Sequence, residues 1–253
     1  MLQGKTILIT GGGSGIGKGA ALMFARHGAN VVVTGRRKDA LDATVAEIDA
    51  NGGEALACQG DVSSAADVQR AVDLALGRYG RLDGAFNNAG VEGLQKPLTE
   101  LSEAEWRHCI DVDLTGVFLC MKAQIIAMAK TGGGAIVNNS SGLGVMGVPC
   151  MGEYIAAKHG LIGLTRAGAA EYAMSKVRVN AIIPGVTQTP MLDELIATAP
   201  AVAALMEGFK ARISMGRFGT AEDAAEATMW LLSERSSYVN GTILPVDGGY
   251  CAR

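Results

Sequence analysis

The chain lacks the features that mark several specialised classes of protein. Its formal net charge is −3 and it has no basic tail, so its composition gives no support for binding nucleic acid or an acidic membrane surface. No apolar run reaches about 18 residues, the length at which a transmembrane helix is predicted. The N-terminal residues enter a predicted strand at once, without the apolar core and cleavage site of a signal peptide. We therefore expect a cytoplasmic protein that binds neither nucleic acid nor membrane.

Cysteine and histidine are few, and their spacing indicates neither a disulfide framework nor a metal site. The five cysteines include no C-x-x-C pair, and the three histidines form neither H-x-x-x-H nor H-E-x-x-H. Cys109 follows His108, but neighbours on a helix point to different faces, so the two are not expected to act together. The sequence predicts reduced thiols and no metal ion.

Apolar residues are abundant, at 49%, and they form short β-branched runs between longer helical patterns. The runs lack strict alternation with polar residues, as expected of strands that are buried on both faces. The predicted strands are Thr6–Thr10, Asn30–Thr34, Glu54–Gln59, Leu82–Asn87, Ala135–Ser140, Val177–Ile183 and Thr242–Val246. The predicted helices are Gly15–His27, Lys38–Asn51, Ser64–Arg78, Ser102–Lys130, Gly152–Tyr172 and Thr220–Ser233.

This alternation predicts an α/β fold, a Rossmann-type doubly wound parallel sheet of about seven strands with helices on both faces. No stretch rich in proline, serine or charge divides the chain, and we predict a single domain over residues 1–253. The one long irregular stretch lies near 186–219 and contains a short helical piece, Met191–Thr198. We expect it to act as a lid over the substrate site.

A glycine-rich turn joins the first predicted strand to the first predicted helix. It reads Thr10-Gly11-Gly12-Gly13-Ser14-Gly15-Ile16-Gly17. Glycines permit a tight turn and close approach of the backbone to a pyrophosphate, while the helix N-terminus supplies free N–H groups and the positive end of the helix dipole. An ordinary glycine-rich turn is the alternative. The strand before it and the helix after it favour a nucleotide-binding site.

The end of the second strand bears on which nucleotide binds. An acidic residue there would bind a ribose 2′-hydroxyl and indicate NAD. This chain has Gly35 at that place, followed by Arg36 and Arg37. Because a guanidinium pairs well with a phosphate, NADP is favoured over NAD. Two alternatives stay open: the arginines are solvated charges at the start of a helix, or the nearby Asp39 takes the place of the usual acid and binds NAD.

Tyr154 and Lys158 are the candidate proton-transfer pair. Positions i and i+4 lie on one face of a helix, so the phenol and the ammonium would be side by side. A neighbouring cation stabilises a phenolate, and a tyrosine held in this way can pass a proton near neutral pH. Ser141, thirteen positions before Tyr154, could hold a substrate oxygen in the same pocket.

Taken together, these motifs resemble the shorter dehydrogenase branch of the short-chain dehydrogenase/reductase family. The resemblance rests on the glycine turn, on Asn87-Asn88-Ala89-Gly90 after the fourth strand, and on Ser141, Tyr154 and Lys158 in that order. It also includes Asp61-Val62, Pro184-Gly185 and Val246-Asp247-Gly248-Gly249, and so covers essentially the whole chain. It implies a homotetramer, formed through the helices near Ser102–Lys130 and Gly152–Tyr172.

The resemblance also implies roles for individual residues. Catalytic roles fall to Ser141, Tyr154, Lys158 and Asp113. Cofactor-binding roles fall to Gly11, Ser14, Gly15, Ile16 and Gly17 near the pyrophosphate, Arg36 and Arg37 near a 2′-phosphate, Asp61 and Val62 beside the adenine, Asn88, Ala89 and Gly90 in the ribose region, Pro184, Gly185, Thr187 and Thr189 around the nicotinamide, and Tyr154 and Lys158, the latter at the nicotinamide ribose.

Asp113 departs from the pattern of that family, which usually has asparagine in the Val-Asn-Leu-x-Gly context. Here the stretch reads Val112-Asp113-Leu114-Thr115-Gly116. In the family this residue's backbone carbonyl holds a water that is linked to the lysine, and a backbone group is indifferent to its side chain. The aspartate would add a negative charge near Lys158, which would keep the ammonium charged and offset part of its field on Tyr154.

The predicted activity is reversible hydride transfer between NADP(H) and a secondary alcohol or ketone, a small molecule with an apolar body. The predicted pocket stretches, Gly142–Glu153, Val91–Lys96 and the lid, are mostly apolar and rich in methionine. Alternatives within the family are a 3-oxoacyl-thioester reductase and a sugar dehydrogenase. Outside it, the alternative is a non-catalytic nucleotide sensor. Enoyl reduction is disfavoured, because similar enzymes separate the tyrosine and lysine more widely.

Overall fold

A seven-stranded sheet lies at the centre of the molecule, in a computed structural model that describes residues 1–188, 192 and 200–252. The strands are β1 (Thr6–Thr10), β2 (Asn30–Gly35), β3 (Glu54–Gln59), β4 (Gly84–Asn87), β5 (Gly134–Asn139), β6 (Val177–Pro184) and β7 (Ile243–Val246). Their order is β3-β2-β1-β4-β5-β6-β7, and every neighbouring pair is parallel. The chain reverses its direction of winding between β1 and β4, where a doubly wound sheet opens a crevice at the carboxyl ends of its strands. The predicted α/β fold class is confirmed.

Helices cover both faces of the sheet. They are α1 (Gly15–Arg26), α2 (Lys38–Ala50), α3 (Ala65–Tyr79), α4 (Glu103–Ile110), α5 (Gly116–Lys130), α6 (Gly152–Tyr172), α7 (Pro200–Arg212) and α8 (Ala221–Leu232). On one face, Ile7 and Ile9 of β1 pack in a core with residues of α1, α2 and α8. On the other face, Leu8 packs with residues of α3, α5 and α6. Side chains therefore alternate between two apolar cores, which explains why the strands lack polar alternation.

The predicted helix Ser102–Lys130 is interrupted. A π-helical turn, Asp111–Thr115, separates α4 from α5. The extra residue in such a turn shifts the helix face, and an apolar pattern read with one fixed period does not reveal it. By length and composition the stretch Glu103–Lys130 could cross a membrane, but 56% of its most apolar window is buried inside the protein. Burial of this kind is typical of a core helix.

The prediction of an irregular stretch near 186–219 was wrong in part. Residues Pro200–Arg212 form α7, whose alanine-rich sequence favours a helix and whose proline occupies the first helical position, where no N–H is needed. The predicted piece Met191–Thr198 lies outside the described residues, apart from Leu192.

Candidate active site

A cleft of about 250 Å³ opens at the carboxyl ends of β1, β2 and β3. Among the predicted cofactor residues, Gly11, Ser14, Arg36, Arg37, Asp61, Val62, Asn88, Ala89 and Gly90 line it. Ala40, Leu41 and Val112 also line it, and they were not predicted because no motif marks these apolar residues on their helices. Ile16, by contrast, packs against the core.

The glycine turn has the geometry of an anion cradle. Gly11 has a φ of +68°, a backbone conformation that favours glycine. A side chain at Gly17 would meet the carbonyl oxygen of Gly11 at 2.3 Å, so only glycine fits where α1 crosses the turn. Ser14 precedes α1 without capping it through its side chain, which leaves the first N–H groups of the helix available to a phosphate. These residues fit a dinucleotide pyrophosphate.

Thr10 and Asn88 connect the glycine turn to the neighbouring strand end. The Thr10 hydroxyl accepts the N–H groups of Asn88 and Ala89, both at 3.0 Å. The Asn88 amide donates to the Thr10 carbonyl at 3.1 Å and in turn accepts the Asn139 amide at 2.9 Å. The carboxyl ends of β1, β4 and β5 are thereby held together. Thr10 and Asn139 were not predicted, because contacts between distant strand ends leave no local pattern.

Arg36 and Arg37 extend from the end of β2 into solvent. Among the described residues, neither guanidinium has a carboxylate within ion-pair distance, and Asp39 is exposed in the first turn of α2. A side chain built at Gly35 would make only ordinary contact, at 3.6 Å, with Leu41. The absence of an acid at Gly35 is therefore not forced by lack of space.

Asp61 is held at the rim of the cleft. Its N–H donates to Asp67 at 2.9 Å, and its carboxylate accepts the N–H and the hydroxyl of Ser63. These bonds from Ser63, with a smaller contribution from the charge of Arg36, hold the pKa of Asp61 below its usual range. An ionised acceptor thus faces the predicted adenine position at physiological pH.

Tyr154 and Lys158 lie on α6, one turn apart, as predicted. The Lys158 ammonium lies 5.2 Å from the centre of the Tyr154 ring. The Ser140 hydroxyl donates to the carbonyl of Lys158 at 3.2 Å, and Lys158 Nζ donates to the carbonyl of Asn139 at 3.4 Å. These two bonds fasten α6 to the end of β5, directly beside Ser141. Ser141 accepts the N–H of Leu143 at 3.2 Å, which holds its side chain at the start of a short 3₁₀ turn.

Asp113 faces Lys158 from the π turn. Its Oδ2 lies 3.1 Å from Lys158 Nζ, so the two groups form an ion pair. They are not aligned as a hydrogen bond. Both side chains are at most 5% exposed. Burial alone would lower the pKa of Lys158, but the charges of Tyr154 and Asp113 outweigh it, and that pKa is raised. Asp113 Oδ1 accepts the Val91 N–H at 2.7 Å. The carboxylate therefore contacts both the lysine and the chain that leaves β4.

The remaining predicted residues follow β6. Pro184 is its last residue and pairs with β7, and Gly185 packs so closely on Asp247 that a side chain there would lie 3.0 Å from its backbone. The Thr187 hydroxyl donates to the Gly185 carbonyl at 3.2 Å, and Thr187 forms an isolated β-bridge with Gly219. Thr189 lies outside the described residues.

The described part of the chain contains no group of three His, Cys, Asp or Glu side chains that could hold a metal ion. Cys109 is buried, and burial together with the charges of Asp113 and Glu153 raises its pKa to about 12. It therefore remains a neutral thiol, while its neighbour His108 is exposed.

Known proteins resemble this chain over nearly its full length. A family profile described as enoyl-(acyl carrier protein) reductase matches residues 11–251. The chain is 43% identical over 252 residues to 2,5-dichloro-2,5-cyclohexadiene-1,4-diol dehydrogenase of Sphingobium indicum, covering 99% of this chain and 98% of that protein. It is 40% identical over 250 residues to cyclohexanol dehydrogenase of an Acinetobacter species, covering 98% and 96%. The crystal structure of levodione reductase has a TM-score of 0.94 and 38% identity, covering 100% of this chain and 99% of that one.

Replacing Asp113 by asparagine tests the ion pair. The change leaves the Lys158 ammonium without a counter-charge, so we expect the free energy of unfolding at pH 7 to fall by about 1–3 kcal/mol. That is less than full disruption of a buried pair, because asparagine keeps a carbonyl oxygen. The pKa of Lys158 is raised above its ordinary value of 10.5 in the folded protein, so this interaction stabilises the fold fully below pH 10.5. The stabilisation is lost as the pH rises through the raised pKa. The difference in unfolding free energy between the two proteins should therefore shrink above pH 10.5.

Urea unfolding from pH 7 to 11 measures that difference. Asp42→Asn is the matched control, because Asp42 pairs with Lys38 on the surface, where loss of the pair should cost at most about 0.5 kcal/mol. A gap for Asp113→Asn that stays constant with pH would contradict the role assigned to the charge.

Proposed function

Because the chain belongs to the short-chain dehydrogenase/reductase family, whose named relatives act on alcohols and ketones, we propose that it interconverts a six-membered cyclic secondary alcohol and its ketone with NADP(H). The observation that carries this proposal is the placement of Tyr154 and Lys158 beside Ser141, at the carboxyl edge of the sheet and next to the nucleotide cleft. Open parallel sheets bind their ligands at this edge.

In the direction of reduction, NADPH when bound supplies a hydride to the carbonyl carbon. The Ser141 hydroxyl donates a hydrogen bond to the carbonyl oxygen, where negative charge develops. The Tyr154 hydroxyl delivers its proton to the same oxygen, which becomes the hydroxyl of the product alcohol. In oxidation the tyrosine takes that proton back.

Lys158 stabilises the phenolate that remains on Tyr154 after the proton leaves. The ammonium is 5.2 Å from the ring, in a buried site where a charge is poorly screened. Asp113, 3.1 Å from the same ammonium, keeps the lysine protonated throughout. Lys158 is thus a fixed cation for Tyr154, and the proton travels between tyrosine and substrate.

The proposal of NADP rests on the three residues at the end of β2. Arg36 lines the cleft, is exposed and has no carboxylate partner among the described residues, so its guanidinium is free to pair with a 2′-phosphate. Gly35 offers no acid to a ribose 2′-hydroxyl. Arg37 also lines the cleft, and we assign it a smaller contribution because it immediately precedes α2.

The proposal of a cyclic substrate rests on relatives and on the character of the pocket. Two relatives are named for hydroxylated six-membered carbocycles. Met151 packs near Tyr154 beside Gly93, and Leu94 and Val145 are exposed in the two stretches that were predicted to line the pocket, as suits a substrate with an apolar body. The matched family profile is described as an enoyl reductase, but the spacing of Tyr154 and Lys158 favours carbonyl chemistry.

We also propose a cytoplasmic homotetramer, as the family resemblance implied. Large apolar side chains remain exposed on one helix, with Phe118 at 47% and Ile126 at 51%, and Trp106 of α4 at 37%. Burial of such side chains between subunits would stabilise an assembly.

Tyr154→Phe removes the proton donor and leaves the ring in place. We expect turnover of a cyclohexanone-type substrate to fall by about 10²–10⁴-fold or more, while binding of NADPH, followed by fluorescence quenching, is kept. Tyr172→Phe, at the far end of the same helix, is the control and should retain activity. Turnover by Tyr154→Phe close to that of the unmodified protein would refute the mechanism.

The unmodified protein should be assayed against cyclic ketones, 3-oxoacyl thioesters and sugars, and failure on all cyclic ketones would refute the substrate class.

Arg36→Ala removes the proposed phosphate partner. We expect the KM for NADPH to rise about 10- to 100-fold, with little change for NADH, because a charged hydrogen bond to phosphate is lost. Adding Gly35→Asp, for which there is space, should shift the preference to NADH. Arg37→Ala should have a smaller effect. Equal KM values for NADPH in Arg36→Ala and the unmodified enzyme would exclude this site for the phosphate.

Light scattering after size exclusion tests the assembly. We expect a particle of four 26.0-kDa chains, and dissociation when Phe118→Glu places a charge on the exposed face of α5. Tyr238→Glu is the control, because Tyr238 is fully exposed in the segment between α8 and β7, outside the helices of the proposed interface. A monomer at all concentrations would refute the tetramer.

A further inference from the structure

The segment Val91–Lys96 forms a wall beside Tyr154 and is held at two points by buried carboxylates. The Val91 N–H donates to Asp113 Oδ1 at 2.7 Å, and the Leu94 N–H donates to Glu153 Oε1 at 2.8 Å. Both carboxylates are fully buried. They come from separate elements, the π turn and the first turn of α6. One segment of backbone is thus fixed by two acids, one of which also contacts the catalytic lysine.

Between the two anchors the segment packs directly on the catalytic helix. A side chain at Gly93 would lie 2.6 Å from Met151 Cε and 3.2 Å from Tyr154 Cβ. Lys96 then forms an isolated β-bridge with Met151, which joins the segment to the loop that follows Ser141. The position of the Leu94 backbone therefore sets how closely this wall approaches Tyr154.

The arrangement carries unfavourable features that tight packing alone does not require. Gln95 and Cys150, which precede the two bridged residues, have φ values of +56° and +65°, a region that L side chains rarely adopt. Glu153 Oε2 is buried and finds no hydrogen-bond partner within the described part of the chain. Backbone strain and incompletely paired buried charge persist where the surrounding structure imposes them, and they cluster at functional sites.

We propose that Glu153 is a positioning residue for substrate selection, which holds the Leu94 N–H and thereby sets the width of the pocket beside Tyr154. It does not contact the reacting atoms. The inference rests on the proposed carbonyl reduction and deepens it, since it assigns the control of substrate fit to a residue whose side chain is fully buried.

A structural alternative exists for Glu153. An acid in the first turn of a helix is stabilised by the helix dipole, whatever it bonds to. The two roles differ in what they require. The dipole needs only a negative charge, whereas the Leu94 N–H needs an acceptor at the full length of the glutamate side chain.

Three variants of Glu153 separate these roles. Glu153→Gln keeps the length and an acceptor oxygen but removes the charge, Glu153→Asp keeps the charge but withdraws the acceptor by one methylene, and Glu153→Leu removes both. Glu171→Leu, on an exposed position of the same helix, is the matched control. Each variant is examined as full-length protein by hydrogen–deuterium exchange and by steady-state kinetics with NADPH and a cyclic ketone.

In the unmodified protein and in Glu153→Gln we expect the Leu94 amide to be protected. In Glu153→Asp and Glu153→Leu it should exchange about tenfold or more faster, because the donor has lost its partner. The KM for the ketone should rise about tenfold in the same two variants, with kcat within about threefold, because Ser141, Tyr154 and Lys158 are untouched. The affinity for NADPH should not change.

Two results would overturn the proposal. One is Glu153→Asp matching the unmodified protein in exchange and KM, which assigns the residue to the helix dipole. The other is faster exchange without a change in KM, which shows that the wall does not select substrate. If Glu153→Leu does not fold, Glu153→Asp and Glu153→Gln decide the question between them. The exchange measurement needs no substrate, so a failure of the proposed reduction is distinguishable from a failure of the tether.

Discussion

The buried pair of Lys158 and Asp113 is the interaction on which the candidate site depends. An ammonium with 5% of its side chain exposed is unfavourable unless an opposite charge stands close to it, and Asp113 Oδ2 provides that charge at 3.1 Å. The family usually has a neutral amide at this position, so this chain places a full negative charge beside a lysine that also lies 5.2 Å from the centre of the Tyr154 ring. The ammonium stays charged as a result, but the carboxylate offsets part of the field that the ammonium exerts on Tyr154.

The parallel sheet explains how residues so far apart in sequence meet at this pair. Every strand of the described sheet runs in the same direction, so the residues that follow β1, β2, β4 and β5 all lie at one edge. Hydrogen bonds from the Asn88 N–H to the Thr10 hydroxyl, and from the Ser140 hydroxyl to the Lys158 carbonyl, hold these strand ends in register. The nucleotide cleft and the proton-transfer pair are therefore neighbours because of the topology of the sheet, whatever side chains follow its strands.

Much of this could be read from the sequence, because the signals are local. A run such as Val31–Val33 predicts a buried strand, a glycine turn predicts an anion site, and an i, i+4 spacing places Tyr154 beside Lys158. The π turn escaped prediction because it alters the helical period over only a few residues. Asn139 and Glu153 escaped because their roles come from bonds to residues 51 and 59 positions away. These hydrogen bonds form only when the chain is folded.

The two buried acids give the site a property that neither has alone. Asp113 pairs with Lys158, Glu153 has no ion-pair partner among the described residues, and each acid uses an oxygen to hold a backbone N–H of the same wall. Burial of unbalanced charge lowers stability, and evolution retains it where function needs a fixed geometry. Asp113 contacts both the lysine and Val91 and so anchors the wall next to the proton-transfer pair, whereas Glu153 anchors it at Leu94. Under the proposed role of Glu153, a shift of the backbone at Leu94 changes the fit of a substrate, while the anchor at Val91 keeps the lysine and its ion pair in place.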